Sequence, residues 1–134
     1  MSVFVLDSNI VSFYIRQNEQ VIQKVKNVLL DGHEVLISPI AYYEVKRGLL
    51  AIKAEKRLKE FAALCKILGV GQLDNSLLDW AADIYRQLRD NKKTVEDADI
   101  LTAAFCINHD FILVTHNVKH FEIISGLRYC DWVD

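Results

Sequence analysis

The sequence has little of what marks a fibrous, disulfide-linked or membrane-spanning protein. Its 134 residues include one proline and five glycines, so neither a collagen-like repeat nor a proline- and glycine-rich linker is present. The three cysteines are odd in number and widely spaced, which predicts reduced thiols and not a disulfide framework. No apolar run approaches the roughly 20 residues that a membrane-spanning helix needs.

An excess of positive charge is also absent. The formal net charge is −2 at pH 7, which argues against a general nucleic-acid coat, because such proteins bind mainly by neutralising phosphates. A nuclease is not excluded, since a bound cation offsets the carboxylates of an active site locally. The cationic residues form two groups, and each group is either a solvated helix face or an RNA-contacting rim. The first group is Lys46, Arg47, Lys53, Lys56, Arg57 and Lys59, and the second is Arg86, Arg89, Lys92 and Lys93.

What is present is typical of a globular domain. Hydrophobic residues make up 51% of the chain and charged residues 25%, a balance that argues against disorder and supplies a core without disulfides. We expect residues 1–134 to form one domain, because the length is that of one domain and no linker interrupts it. With no basic leader at the N-terminus, we expect a cytoplasmic protein.

Short apolar runs alternate with amphipathic stretches. Runs at 3–6, 34–37 and 111–114 are typical of strands buried on both faces of a parallel sheet, and we expect another strand near 128–132 and an extended piece around Val70. Helical periodicity predicts helices over 9–16, 19–31, 39–48, 51–68, 76–90 with Asn75 as the cap, 94–108 and 118–122. This alternation predicts an α/β fold, a three-layer α/β/α sandwich around a central parallel sheet of four to five strands.

Three acidic residues occupy positions that a solvated surface explains poorly. Asp7 directly follows the first strand, Glu44 lies in the helix after the second strand, and Asp99 lies in the first turns of an almost wholly apolar helix. Ligand sites of parallel sheets lie beyond the carboxyl ends of the strands. Clustered carboxylates are stable there when a divalent cation neutralises them, and oxygen ligands favour Mg²⁺ or Mn²⁺ over Zn²⁺.

Each of these residues also has a purely structural alternative. Asp7 fits the N-cap of the following helix, Glu44 fits a partly exposed helix position, and Asp99 could complement the helix dipole. Asp97 lies about 200° from Asp99 around a helix, so it is either a residue of a helix-start capping arrangement that begins at Thr94 or an outer ligand.

Further polar residues follow the strand ends. Ser8, Asn9 and Thr115 are either cap and turn residues or groups that orient ligands and bind phosphate. His116 and His120 have i, i+4 spacing, but the glutamate that zinc hydrolases place after the first histidine is missing. We therefore do not expect a zinc site there.

Four segments resemble a known family. The segments are VFVLDSNIVSFYI, ISPIAYYEVKRGL, DADILTAAFCINHDFILVTHNVKHFEII and GLRYCDWV. In this order along the chain, they resemble the sequence motifs of VapC toxins of the PIN-domain family. The resemblance implies an Mg²⁺-dependent endoribonuclease whose metal-site acids are Asp7, Glu44 and Asp99. It is strongest to toxins that cut initiator tRNA at the anticodon. It also implies a homodimer and a VapB-type antitoxin that forms a larger hetero-oligomer and threads its tail through the active-site groove.

One position departs from the family pattern. Family members often carry a fourth acid where this chain has Asn117. An amide can still hydrogen-bond a phosphate or a metal-bound water, together with Thr115, but it adds no charge, so the sequence favours catalysis with one metal. The same departure supports an alternative function, a catalytically silent PIN-like module that binds RNA or a protein.

Overall fold

The computed structural model describes residues 1–134 and is built on one parallel sheet. The strand order is β2-β1-β3-β4, with β1 at Val3–Leu6, β2 at Glu34–Ile37, β3 at Ile112–Val114 and β4 at Arg128–Cys130. Leu6 pairs with both Ile37 and Val114, so three strands end level with one another. A single parallel bridge between Ile37 and Val70 adds an extended segment beside β2. The predicted parallel sheet of four to five strands is confirmed.

Seven helices cover the two faces of the sheet. They are α1 at Ser8–Ile15, α2 at Glu19–Leu30, α3 at Pro39–Ala51, α4 at Glu55–Leu68, α5 at Asn75–Asp90, α6 at Asp97–His109 and α7 at Val118–Phe121. Side chains of a strand alternate between faces, so Leu6 and Val114 pack into one core with α1 to α4, whereas Val5 and Leu113 pack into a second core with α5 and α6. This is the predicted three-layer sandwich. None of the helices is both long and apolar enough to cross a bilayer.

The junction between α3 and α4 differs from the prediction. Helix α3 does not stop at Gly48 but continues to Ala51, and α4 begins only at Glu55. The turn between them places Lys53 in the left-handed region, with φ of 54°. Because no glycine or proline lies at this turn, no residue of the sequence predicts the end of the helix there.

Two helices begin at a different N-cap residue from the one that the sequence predicts. Asp74, not Asn75, caps α5, and its carboxylate accepts the backbone N–H of Leu77 at 2.9 Å. Helix α6 starts at Asp97 with Glu96 at the N-cap position and no side-chain cap bond, so the capping arrangement expected from Thr94 does not form. Adjacent residues of equal capping propensity cannot be ranked by propensity alone.

The buried faces of α4 and α5 overlap with those expected but do not include every expected residue. Helix α4 buries Phe61, Leu64 and Leu68, while Ala62 is exposed. In α5, Leu78 and Tyr85 are exposed because the packed side is formed by Leu77, Ala81, Ile84 and Leu88.

Candidate active site

Asp7 lies where β1 ends and α1 begins, at the carboxyl edge of the sheet. It is only 5% exposed, and each of its carboxylate oxygens accepts one hydrogen bond. One oxygen accepts the backbone N–H of Ser8 at 2.9 Å, and the other accepts the hydroxyl of Thr115 at 2.8 Å. Asp7 is thus the N-cap of α1, yet a carboxylate that accepts two hydrogen bonds keeps lone pairs for a further ligand.

Thr115 meets Asp7 because of the strand register. Leu6 pairs with Val114, so the residues that follow these two are neighbours at the same edge. Thr115 is fully buried, and its hydroxyl oxygen also accepts the backbone N–H of Asn117 at 3.1 Å. Its single hydroxyl proton is therefore donated to the carboxylate of Asp7, which fixes the orientation of that carboxylate.

The first residues of α1 are tied to the same loop. The amide nitrogen of the Asn9 side chain lies 3.5 Å from the Thr115 hydroxyl, and its oxygen accepts the backbone N–H of His116 at 3.2 Å. Ser8 and Asn9 both line a cavity of about 250 Å³ between α1 and α3. The predicted polar residues therefore do come together around Asp7.

Glu44 reaches this cavity from the opposite wall. Helix α3 begins directly beyond β2, where the buried hydroxyl of Ser38 accepts the backbone N–H groups of Ile40 and Ala41 at 3.2 and 3.3 Å. Fixed in this way, α3 places the half-buried Glu44 among the lining residues of the cavity that Ser8 and Asn9 share. The second predicted acid is thus at the same edge of the sheet as the first.

Asp99 lies in the first turn of α6, while Asp97 belongs to a different face. The side chain of Asp99 is 21% exposed and its carboxylate lies 3.2 Å from Nδ1 of His120 in α7. Asp97 is exposed and makes no side-chain hydrogen bond. Two residues apart on a helix, the two aspartates cannot share one face, and the structure brings only Asp99 towards Asp7.

Burial raises the pKa of two of these acids. The pKa of Asp7 is raised above 3.8, first by desolvation and further by the charges of Asp99 and Glu44, against the lowering effect of hydrogen bonds from Thr115 and Ser8. Desolvation also raises the pKa of Asp99, as does the charge of Glu96 to a smaller extent, and His120 partly offsets this rise. Asp7 is thus the acid on which the charges of both other carboxylates act.

The donor set fits a hard divalent cation. Every oxygen comes from a carboxylate, hydroxyl or amide, the ligand types that Mg²⁺ and Mn²⁺ prefer, and a cation would relieve the repulsion around Asp7. No three acidic, histidine or cysteine side chains converge closely enough to ligate one ion together. An ion here would be held by some of the carboxylates directly and by the others through water, as is usual for Mg²⁺.

Comparison with known proteins agrees with this geometry. Residues 4–126 match the PIN domain family. The chain belongs to the PIN-domain family. A protein named Ribonuclease VapC1 from Methanocaldococcus jannaschii is 34% identical over 97 residues, which is 71% of this chain and 69% of that protein. Ribonuclease VapC1 of Haemophilus influenzae strain R2866 is 24% identical over 97% of this chain and 98% of its own length.

Solved structures show the same PIN fold. VapBC2 from Rickettsia felis, bound to a DNA fragment from its promoter, superposes with a TM-score of 0.90 at 20% identity, covering 98% of this chain and 99% of that one. DNA-bound VapBC from Salmonella typhimurium gives a TM-score of 0.89 at 24% identity, covering 99% and 100%.

Asn117, which stands where the family often has a fourth acid, differs from the expectation for the site. Asn117 is exposed, and its contact with the site is its backbone N–H, not its side-chain amide. His120 instead contacts Asp99, whereas His116 contacts Asp131 at 2.8 Å. No sequence pattern predicts the role of His120, because the contact depends on how α7 folds back towards α6.

Loss of the Thr115 hydroxyl should weaken this site without unfolding the protein. In Thr115→Val the shape is kept, but Asp7 loses the donor that orients it and Asn117 loses its acceptor. We expect RNA cleavage to fall about 10- to 100-fold, the usual effect of removing a group that orients a metal ligand. Cleavage rates at matched protein concentration measure this. A Thr102→Val control removes a hydroxyl bonded to the Ala98 carbonyl of α6 and should leave cleavage unchanged, and equal losses in both variants would contradict the prediction.

Proposed function

We propose that this chain is the toxin of a toxin–antitoxin pair, an Mg²⁺-dependent endoribonuclease that hydrolyses phosphodiester bonds of RNA, with tRNA as its substrate. The observation that carries the proposal is the placement of three carboxylates at the carboxyl edge of the sheet, where Asp7 is buried and the charges of Asp99 and Glu44 add to the effect of desolvation on its pKa. Its match to the PIN domain family and its similarity to ribonucleases named VapC1 support the reaction.

The residues of the chain have distinct roles in this proposal. Asp7, Glu44 and Asp99 hold Mg²⁺, which Mn²⁺ can replace, and Thr115 keeps Asp7 oriented for the ion. The chemistry that a bound Mg²⁺ supplies is polarisation of the phosphate and activation of a water molecule. Ser8 and Asn9 line the cavity beside Glu44 and are placed to hydrogen-bond the phosphate or its water.

Three further residues surround the proposed metal site: Asn117, Asp97 and His120. Asn117 brings no charge, so we propose that one ion suffices for the reaction. Asp97 is an exposed residue of the first turn of α6 and we assign it at most a contact through water. His120 holds the Asp99 carboxylate through Nδ1, which makes it a positioning residue for that ligand.

The proposed partners follow from the structural relatives. VapBC2 of Rickettsia felis and VapBC of Salmonella typhimurium are toxin–antitoxin complexes, both bound to DNA. We propose that this chain likewise pairs with a VapB-type antitoxin, whose tail occupies the groove between α1 and α3, and that the toxin is a homodimer within the larger complex. We propose that this chain acts in the cytoplasm, where tRNA is found.

Cleavage of purified total tRNA tests the proposal. Antitoxin-free wild-type protein in Mg²⁺ should produce discrete fragments, whose ends identify the tRNA and the position cut. An initiator tRNA cut in the anticodon loop is the expected product. The Asp99→Asn variant, purified identically, should produce none, because it removes a metal ligand without changing the volume of the side chain.

The control variant separates the possible outcomes. Fragments from both proteins would mean a contaminating nuclease or a wrongly assigned site. Fragments from neither protein, on tRNA and on total cellular RNA alike, would contradict the proposal and favour the silent module that binds RNA or protein.

A further inference from the structure

The carboxylate site continues into a longer groove. The cavity of about 250 Å³ beside Glu44 shares Ser12, Arg16 and Glu44 with a second cavity of about 260 Å³. Arg16 and Arg57 line this second cavity and also a third one of about 470 Å³, which lies against the start of α4. The three cavities therefore form one continuous depression that runs from Glu44 along α1 to Arg57.

Two arginines without an ion-pair partner line this groove, Arg16 in all three cavities and Arg57 in the second and third. The arginine ion pairs of the structure are formed by Arg86 and Arg128, on other surfaces. Neither Arg16 nor Arg57 forms an ion pair or a side-chain hydrogen bond, although Glu55 and Glu60 line the same cavity. Both are exposed, and the guanidinium of Arg16 is 6.0 Å from the ring centroid of Phe13.

Helix α1 fixes the spacing between the two ends of the groove. Asp7 is the N-cap of α1 and Arg16 is its C-cap, so their backbones are nine positions apart, about 13 Å along the helix at 1.5 Å per residue. An extended RNA strand whose scissile phosphate lies at the carboxylates covers this distance within a few nucleotides. Its next phosphates would then lie where the arginines are.

We propose that Arg16 and Arg57 form a second anion site, which binds a backbone phosphate of the RNA strand a few nucleotides from the bond that is cut. The inference rests on the proposed ribonuclease function. Both guanidinium groups line the same cavities without an ion-pair partner, and a phosphate bound there would accept charge-assisted, bidentate hydrogen bonds from them. The site binds backbone and not base edges, so it adds affinity and register without sequence preference.

Salt-dependent RNA binding measures this contribution. Fluorescently labelled tRNA is titrated with Asp99→Asn protein, which binds without cleaving, and with the same protein carrying Arg16→Gln, Arg57→Gln or both. Each single change should weaken binding about 5- to 10-fold at moderate salt and reduce the slope of log K against log salt by about 0.7–0.9. Arg16→Lys, which keeps the charge, should keep the slope while losing part of the affinity.

A matched control lies on another face. Lys26→Gln in α2 removes the same single positive charge at an exposed residue that belongs to neither cationic group and lines none of the three cavities, and it should leave both affinity and slope unchanged. Thermal midpoints of all variants show whether each remains folded.

The outcomes are distinguishable. Equal effects of the Lys26 and groove variants, or unchanged slopes in the groove variants, would overturn the phosphate site. Unchanged RNA binding together with weaker binding of an acidic antitoxin tail would also overturn it and assign the arginines to the protein partner. Absence of cleavage by the wild-type chain would instead contradict the proposed function itself.

Discussion

Asp7→Asn is expected to abolish RNA cleavage while making the metal-free protein more stable at neutral pH. Asp7 is buried, and its ionised form is opposed by desolvation and by the charges of Asp99 and Glu44. The amide has nearly the same volume and no charge, so it removes this penalty along with a ligand of the proposed cation. We expect cleavage to fall at least about 100-fold and the free energy of unfolding to rise by on the order of 1 kcal/mol.

The pH dependence of the free energy of unfolding follows from the direction in which the pKa of Asp7 is shifted. The folded-state pKa of Asp7 is raised above 3.8. The protonated acid therefore contributes stability that is fully present below 3.8 and is lost as pH rises through the folded-state pKa. The advantage of Asp7→Asn over the wild type should accordingly appear at neutral pH and disappear on acidification.

Denaturant unfolding at pH 4 and pH 7.5, in the presence of a chelator, measures this. Asp79→Asn is the control, because Asp79 is an exposed residue of α5 that takes part in no ion pair. It should change neither cleavage nor the pH dependence. Full cleavage by Asp7→Asn would exclude Asp7 from the reaction, and loss of cleavage together with marked destabilisation would give it a structural role only.

Saturating Mg²⁺ or Mn²⁺ is expected to raise the thermal midpoint of the wild type by about 5–10 °C. A ligand present at about 100 times its dissociation constant stabilises the folded state by about 2.7 kcal/mol, and a chain of this length converts 1 kcal/mol into a shift of a few degrees. The gain should be larger at pH 7.5 than at pH 5, because protons compete with the ion for the carboxylates of Asp7 and Asp99, whose pKa values are raised.

Differential scanning fluorimetry with and without the ion gives the shift, with KCl at equal ionic strength as the control for screening. Asp99→Asn should lose most of the gain. If neither cation raises the thermal midpoint of the wild type, the site does not bind a metal. That result is expected for the silent binding module.

The fold and the positions of Asp7 and Asp99 at the edge of the sheet could be predicted because their signals are local. A continuous apolar run identifies β1 as a buried strand, and the acid directly after it must lie at the carboxyl end of the sheet. The same reasoning applies to Asp99, because the apolar sequence after it requires a buried helix that begins at that edge. For both residues, the apolar pattern that predicts a buried strand or helix lies within a few residues of the acid.

Tertiary structure decided the contacts that depend on how elements pack. Periodicity cannot show that His120 and not the Asn117 side chain reaches Asp99, because that depends on the path of α7 between β3 and β4. Nor can it show that Arg16 and Arg57, far apart in sequence, line one groove with Glu44. The sequence by itself determined the α/β architecture and the edge of the sheet where the acids lie. Only packing in three dimensions decided which neighbours complete the site, because those contacts join residues whose separation along the chain carries no periodic signal.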